Sequence, residues 1–361
     1  MALMHAVEWL DTDGVAHGFK NVDGQPRIVS QSYLEQIAEG NVAGHVPWTK
    51  IGFSATVNTT ESDIWSKAGA YTFCTTAGKW EVVSTDNGQD IGTTIKSGTS
   101  TGGSTTTLVD ASKDFTAATA VAIGDCIILD KSGAVPEWGY VTAITNPTTL
   151  TIAGGFSMGG TGASRAYVIV DKSARTGAHA VKIDYLTNTF AEKTEIVILN
   201  GTTAVDTINT DLYRVNSFRI VATGDGNKPV GNITLQADGV GATYSYISSG
   251  FTRARNTMYT VPVGKTLYVN QWSVGWSTPN DTKVQTARFY TRANIEPSTR
   301  FNTGRIFYPY TEAIITNNQL MMVFPVPTKL MAGTDIKVSG LAINPGSGPA
   351  TTVLRGWIET T

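Results

Sequence analysis

A chain of 361 residues, 41% hydrophobic and 16% charged, is long enough for two or three domains of ~100–200 residues, each with its own core. Its net charge of −2 and pI near 6.1 argue against a protein that coats nucleic acid through a broad basic face, because such binding draws on many phosphate contacts. Cys74 and Cys126 provide no disulfide framework and no Cys-x-x-Cys metal pair, the opening residues do not read as a signal peptide, and no run of ~18 apolar residues could span a bilayer.

The first sixty residues hold Trp9, Trp48, Pro26, Pro47 and three of the four His, yet show neither long helical periodicity nor alternating strands. They read as an arm that becomes ordered against another surface. One short helix is predicted over Gln31–Gly40, with Ser30 or Ser32 to cap it and Gly40 to end it. Asp13-Gly14 and Asp23-Gly24 mark turns, and the two prolines favour extended backbone.

From about Ile64 the pattern is β. Tyr71–Cys74 and Trp80–Ser84 are short strand candidates, and the Ser- and Thr-rich stretch Ser97–Thr107 reads as a flexible connection. Ile123–Asp130, Gly139–Ile144 and Thr149–Ile152 then make a small barrel-like module, with Asn146-Pro147 as a turn. Ala166–Val170 resumes the interrupted domain. Glu195–Leu199 leads into Asn200-Gly201, a hairpin signal, and Tyr213–Val221 and Gly231–Leu235 follow. In Thr266–Trp276 a period of two places Tyr268, Trp272, Val274 and Trp276 on one face. Further strands are predicted at Val284–Arg292, Leu320–Phe324, Asp335–Ser339 and Val353–Glu359, with Pro325 and Pro327 ending one of them at a protected edge. The predicted fold is therefore all-β. It has two β-sandwich or jelly-roll domains (61–98 with 166–240, and 241–361), a small inserted β-barrel module (99–165) and an irregular N-terminal arm (1–60).

Motifs for chemistry are weak. Asp11-Thr12-Asp13-Gly14 opens like a calcium loop but lacks the closing acidic ligands, so an Asx turn is the simpler reading. His5, His17 and His45 lack helical metal spacing, and Gly224–Gly231 lacks the Gly-Lys-Ser/Thr ending of a phosphate loop. Phe251–Arg255 is the densest basic stretch and reads as a strand end or turn. Asp184 and Glu192 could form an acid pair or be solvated charges. The stripe Tyr268, Trp272 and Trp276 reads as core, with stacking on sugars as the alternative. Trp9 and Trp48 read as anchors for a partner's pocket, because an irregular arm has little interior in which to hide them.

The words Glu8–Asp11, Gln25–Ser30, Ile37–His45, Trp48–Phe53, Leu199–Thr202, Tyr259–Tyr268, Thr334–Val338 and Gly356–Ile358 resemble virion structural proteins of tailed bacteriophages. The likeness extends over most of the chain. It implies a non-enzymatic virion component made in the host bacterial cytoplasm, without cofactor, metal, membrane or direct nucleic-acid partner. The leading expectation is a capsid decoration or cement protein that binds the major capsid protein or other virion proteins through its arm, with Trp9, Pro26, Arg27, His45 and Trp48 in contact. It would self-associate, most plausibly as a trimer by analogy with phage jelly rolls. A tail, baseplate or fibre component that binds host glycans is the alternative, and a glycan-cleaving enzyme is a third reading.

Overall fold

In a computed structural model the protein is all-β, with 27 strands and one six-residue helix among the described residues. Those are residues 33–360 apart from 118–119, 134, 155, 157–163, 240, 278–284, 295–305, 316–318 and 344–347, together with the backbone of four short strands within 9–27. Residues 1–47 and 48–361 form two compact units, so the expected arm ends earlier than residue 60. In the first unit β1 (Trp9–Leu10) pairs with β2 (Ala16–His17), and β3 (Lys20–Val22) pairs with β4 (Gln25–Arg27). The pairs flank Asp13-Gly14 and Asp23-Gly24. Helix α1 (Tyr33–Ala38) stops where Gly40 adopts φ +78°, its N–H donating to Ile37 O and that of Asn41 to Gln36 O. β5 (His45–Val57) and β6 (Ser62–Asp63) follow.

β7 (Trp80–Ser84) opens a central region, whereas the predicted strand at Tyr71–Cys74 is irregular backbone. β8 (Thr94–Thr99), β9 (Gly102–Ser104), β10 (Thr107–Val109), β11 (Cys126–Leu129), β12 (Glu137–Asn146), β13 (Thr149–Gly154) and β14 (Ala166–Val170) form one seven-stranded sheet in the order β8-β14-β11-β12-β13-β10-β9. Bulges in β12 bend this sheet around its own core of Leu108, Phe115, Ile127, Leu129, Leu150 and Tyr167. The module's sheet thus runs from residue 94 to 170 rather than 99 to 165, and Ala166–Val170 belongs to it instead of resuming the interrupted domain. Its Ser- and Thr-rich stretch is strand rather than flexible connection, because β-branched threonine suits a half-exposed ladder.

β15 (Ala178–Leu186), β16 (Glu192–Ile198) and β18 (Arg214–Thr223) form a three-stranded sheet ordered β16-β15-β18. β17 (Val205–Asp206), β19 (Ile233–Ala237) and β20 (Thr243–Ile247) join β7 in a second sheet, β17-β7-β19-β20. One core unites the two, with Val181, Ile183, Val197 and Phe218 from the first and Trp80, Val82, Ile233 and Leu235 from the second. The opposite face of the three-stranded sheet packs Ala180, Ile196 and Val221 on Cys126 and Ile128 of the module. Trp138 meets that face between Lys182 and Arg219, at 5.2 and 4.9 Å from the ring centroid. Asn200-Gly201 makes a turn (Gly201 φ +62°), but β16 and β17 lie in different sheets, so it is a crossing between layers and not the expected hairpin.

The remaining strands are β21 (Tyr259–Thr260), β22 (Lys265–Trp276), β23 (Gln285–Ala293), β24 (Tyr308–Ile315), β25 (Gln319–Leu330), β26 (Thr334–Ala342) and β27 (Gly348–Thr360). They build two sheets, β21-β26-β23-β24 and β25-β22-β27-β5, with β6 added beside β26. A single core of Val57, Val269, Trp272, Phe289, Ile336, Val338 and Leu354 lies between them. β5 is therefore a structural strand of the C-terminal sheets. Residues 64–258 leave and return along β26, where β6 and β21 pair end to end. Thr257 Oγ1 pins this junction, accepting from Val338 N–H at 3.1 Å and lying 3.2 Å from Ile64 O. β25 continues through Pro325 and Pro327 instead of ending there. It is an edge strand, and the prolines fall where its ladder with β22 is interrupted, so no ladder bond is lost.

Candidate functional site

Of the five predicted contact residues, His45 and Trp48 have described side chains. Trp48 is buried, 8% exposed, in the C-terminal core and packs edge-on against Tyr259 with centroids 5.2 Å apart. It anchors β5 and is not available to a partner's pocket, which corrects the sequence reading. His45 is half-buried. Its Nδ1 lies 2.9 Å from Ala43 O, an acceptor only, so Nδ1 carries the proton; Nε2 then accepts from the Tyr33 hydroxyl at 3.0 Å. Both ring nitrogens are thus engaged within the first unit, which leaves neither for a metal. Backbone aside, Trp9, Pro26, Arg27 and His17 lie outside the described residues, as do His5 and the Asp11–Gly14 loop.

The aromatic stripe divides. A bulge between Val269 and Gln271 shifts the phase of β22, so Trp272, Val274 and Trp276 face the core while Tyr268 turns outward and stacks on Trp357 at 5.1 Å. Trp272 Nε1 donates to Thr352 Oγ1 at 2.9 Å. Buried rings cannot stack on sugars. Arg255 of the basic stretch is folded over Phe251 and Phe53, 3.6 and 4.0 Å from their centroids. Asp184 pairs with Lys182 and Glu192 with Lys265, so the two carboxylates answer to different lysines. Residues 224–227 form a turn that leads to a strand, as expected, and open no helix.

The most concentrated polar chemistry lies between the central and C-terminal sheets and was not singled out in the sequence. Arg214, at the start of β18, donates to Asp335 of β26 through Nε (3.0 Å) and Nη2 (3.1 Å), and to Cys74 O through Nη1. Both side chains are almost fully buried. Arg292 of β23 donates to the same carboxylate through Nε at 3.1 Å and through Nη2, and the Thr260 hydroxyl adds another donor. Burial opposes the charge on Arg214, but the facing Asp335 outweighs it and raises the guanidinium's pKa. Phe73 lies against both guanidiniums, 5.2 Å from that of Arg214 and 5.0 Å from that of Arg292. Beside this triad opens a cleft of about 390 Å³, lined by Asn188, Phe190, Tyr213, Arg214, Arg292 and Asn294. Phe190 is held at φ +62°, an uncommon conformation for a bulky residue. One carboxylate between two guanidiniums leaves a surplus positive charge facing the cleft. Its evident work is to join the two sheet pairs.

A second cluster brings carboxylate oxygens of Glu81, Asp206 and Asp238 within 4.8 Å of one another. Lys79 Nζ stands 2.7 Å from Asp206 and 3.2 Å from Asp238, and Gln236 donates to Glu81 at 2.6 Å. The ammonium offsets charge that a cation would otherwise balance. Elsewhere, Lys50 of β5 donates to Asn216 O at 2.6 Å across the seam with β18, and burial pushes its pKa down to about 7, opposed by Asp184. No family model and no curated protein matches the chain. What fold and polar residues define is an all-β protein whose buried charges join its sheets to one another.

Proposed function

We propose that the chain is a structural component of a tailed-phage virion, a capsid decoration protein that attaches through residues 1–47, projects its β domains outward and self-associates. The observation that carries the reading is the strand order of the C-terminal sheets. Eight strands in the orders β5-β27-β22-β25 and β21-β26-β23-β24, with the chain passing repeatedly from one sheet to the other, correspond to a jelly roll, an architecture of viral capsid and lectin domains. The central pair of sheets reads as a second sandwich inserted between the first two strands of the roll, and the seven-stranded sheet as a barrel-like module inserted in turn. The phage assignment itself rests on the resemblance of the sequence words, since a jelly roll alone does not fix a function.

The burial of Trp272 and Trp276 takes away the surface that motivated a glycan-binding tail protein. The test is placement. Purified protein added to heads assembled without it is expected to bind saturably and to appear as ordered density on the shell. Density on the tail alone, with no binding to heads, would establish the alternative.

A further inference from the structure

The cleft beside the triad of Arg214, Asp335 and Arg292 carries more positive charge than its neighbours balance. Asp335 answers one guanidinium, and Lys337, which shares the Phe307 ring with Arg292, is paired with Asp63 at 2.8 Å. Arg214 is buried and committed: Nε and Nη2 hold Asp335, and Nη1 donates to the carbonyls of Cys74 and Tyr213. Arg292 is not fully engaged. Its Nε and Nη2 donate to Asp335, while Nη1 has no acceptor among the described residues and Nη2 keeps a second N–H. These N–H groups form one edge of the guanidinium, the fork that meets both oxygens of a carboxylate. At 19% exposure, Arg292 is the member of the triad that a ligand can reach.

The walls supply the rest of a ligand's contacts. Asn188 and Phe190 stand in the turn between β15 and β16. Thr187 N–H donates there to Ala191 O at 3.0 Å, Phe190 N–H to Thr187 O at 2.9 Å, and Val263 N–H to Phe190 O at 2.9 Å. That closure holds Phe190 in its left-handed conformation, and an outlier so firmly fixed beside a cleft points to function. Asn188 is exposed, and its amide makes no hydrogen bond among the described residues. Asn294 spends its Nδ2 on Gly333 O at 2.8 Å, which leaves its carbonyl oxygen as an acceptor. Ring faces contribute little, because Phe190 is buried and Tyr213 carries the Arg214 guanidinium 4.0 Å from its centroid. A body held here is therefore polar, with hydroxyl groups for the two amides. A volume of about 390 Å³ lies at the small end of ligand sites. A single surplus positive charge matches a monoanion better than a phosphate, which carries about −1.5 to −2 at neutral pH.

We propose that this cleft binds a small polar carboxylate the size of a sugar acid, its carboxyl group on the Nη edge of Arg292 and its hydroxyl groups on Asn188 and Asn294. The test is isothermal titration calorimetry of the full-length protein with glucuronate at fixed ionic strength. Glucose supplies the same body without the charge, and acetate and inorganic phosphate supply charge without that body. Glucuronate is expected to bind with a Kd of roughly millimolar or tighter, acetate and phosphate at least about tenfold more weakly, and glucose not at all. Arg292→Gln leaves Arg214 and Asp335 paired one to one; Asn188→Asp puts a repelling charge at the exposed rim without touching the triad. Each is expected to weaken glucuronate at least about tenfold with unchanged circular dichroism. Should Arg292→Gln unfold, Asn188→Asp decides alone. No heat with glucuronate, or binding that either folded variant keeps, would overturn the site. Phosphate or glucose bound as tightly as glucuronate would overturn the choice of a carboxylate, and acetate bound as tightly would overturn the polar body.

Discussion

Replacing Asp335 by Asn should destabilise residues 48–361 by about 3 kcal/mol, near the lower end of the ~3–5 kcal/mol for breaking a buried ion pair. The carboxylate has no solvent exposure and faces two guanidiniums. The amide keeps one acceptor oxygen but presents an NH₂ to donors, and it leaves Arg214, itself almost fully buried, without a counter-charge. Arg292 is partly exposed and can turn to water, which is why the lower figure is chosen. The assay is urea unfolding followed by tryptophan fluorescence and circular dichroism, because the triad joins two sheet pairs and its loss should also make their transitions separate. Arg214→Met/Asp335→Leu, which removes both buried charges, should lose less stability than Asp335→Asn alone. A loss below about 1 kcal/mol for the single variant, or a double variant that loses the sum of its parts, would refute the view that the unpaired charge sets the cost.

Removing residues 1–47 should leave the β domains folded by circular dichroism, whereas removing 1–60 should unfold the C-terminal sheets, because it takes away β5; equal spectra for the two truncations would count against β5 as a core strand. Trp48→Ala should cost about 3–4 kcal/mol in chemical denaturation, as for a large buried ring, and a loss under 1 kcal/mol would place the ring at the surface. Lys50→Met should stabilise the fold more at pH 6 than at pH 9. The folded pKa of Lys50, about 7, lies below the ordinary lysine value of 10.5, so between those values the unfolded chain holds more protons and stability rises with pH, while below pH 7 the cost of burying the ammonium is fully present. The gain from the substitution should shrink by about 1–2 kcal/mol over that interval, after discounting for partial exposure, and a gain independent of pH would exclude a buried ammonium.

Period-two alternation carried much of the fold. It located β7, β16, β18, β19, β22, β23, β26 and β27, and the module between the halves of the central sheets, because strands with one buried face write that face into every second residue. It failed wherever pairing is non-local or the phase slips. β5 is interrupted by Pro47 and Gly52. Gly52 is required because a Cβ there would stand 2.3 Å from Thr257 Cγ2 and 2.7 Å from Ile64 O, atoms that arrive from distant sequence. The bulge in β22 inserts a residue and sends Tyr268 outward, which a count by twos cannot register. The Arg214–Asp335 pair spans 121 residues, and nothing in the local sequence of β18, which carries Arg219 as well as Arg214, marks it out.

The topology ties the first strand of the C-terminal sheets to the last. β5 is made first but closes its sheet only against β27, at the other end of the chain, and residues 64–258 intervene between β6 and β21. Such long-range pairing costs loop-closure entropy before its contacts form, so the C-terminal core should assemble late, after the central sheets have brought β6 and β21 together along β26. Thr257, bonded to both sides of that junction, is the residue that registers its closure.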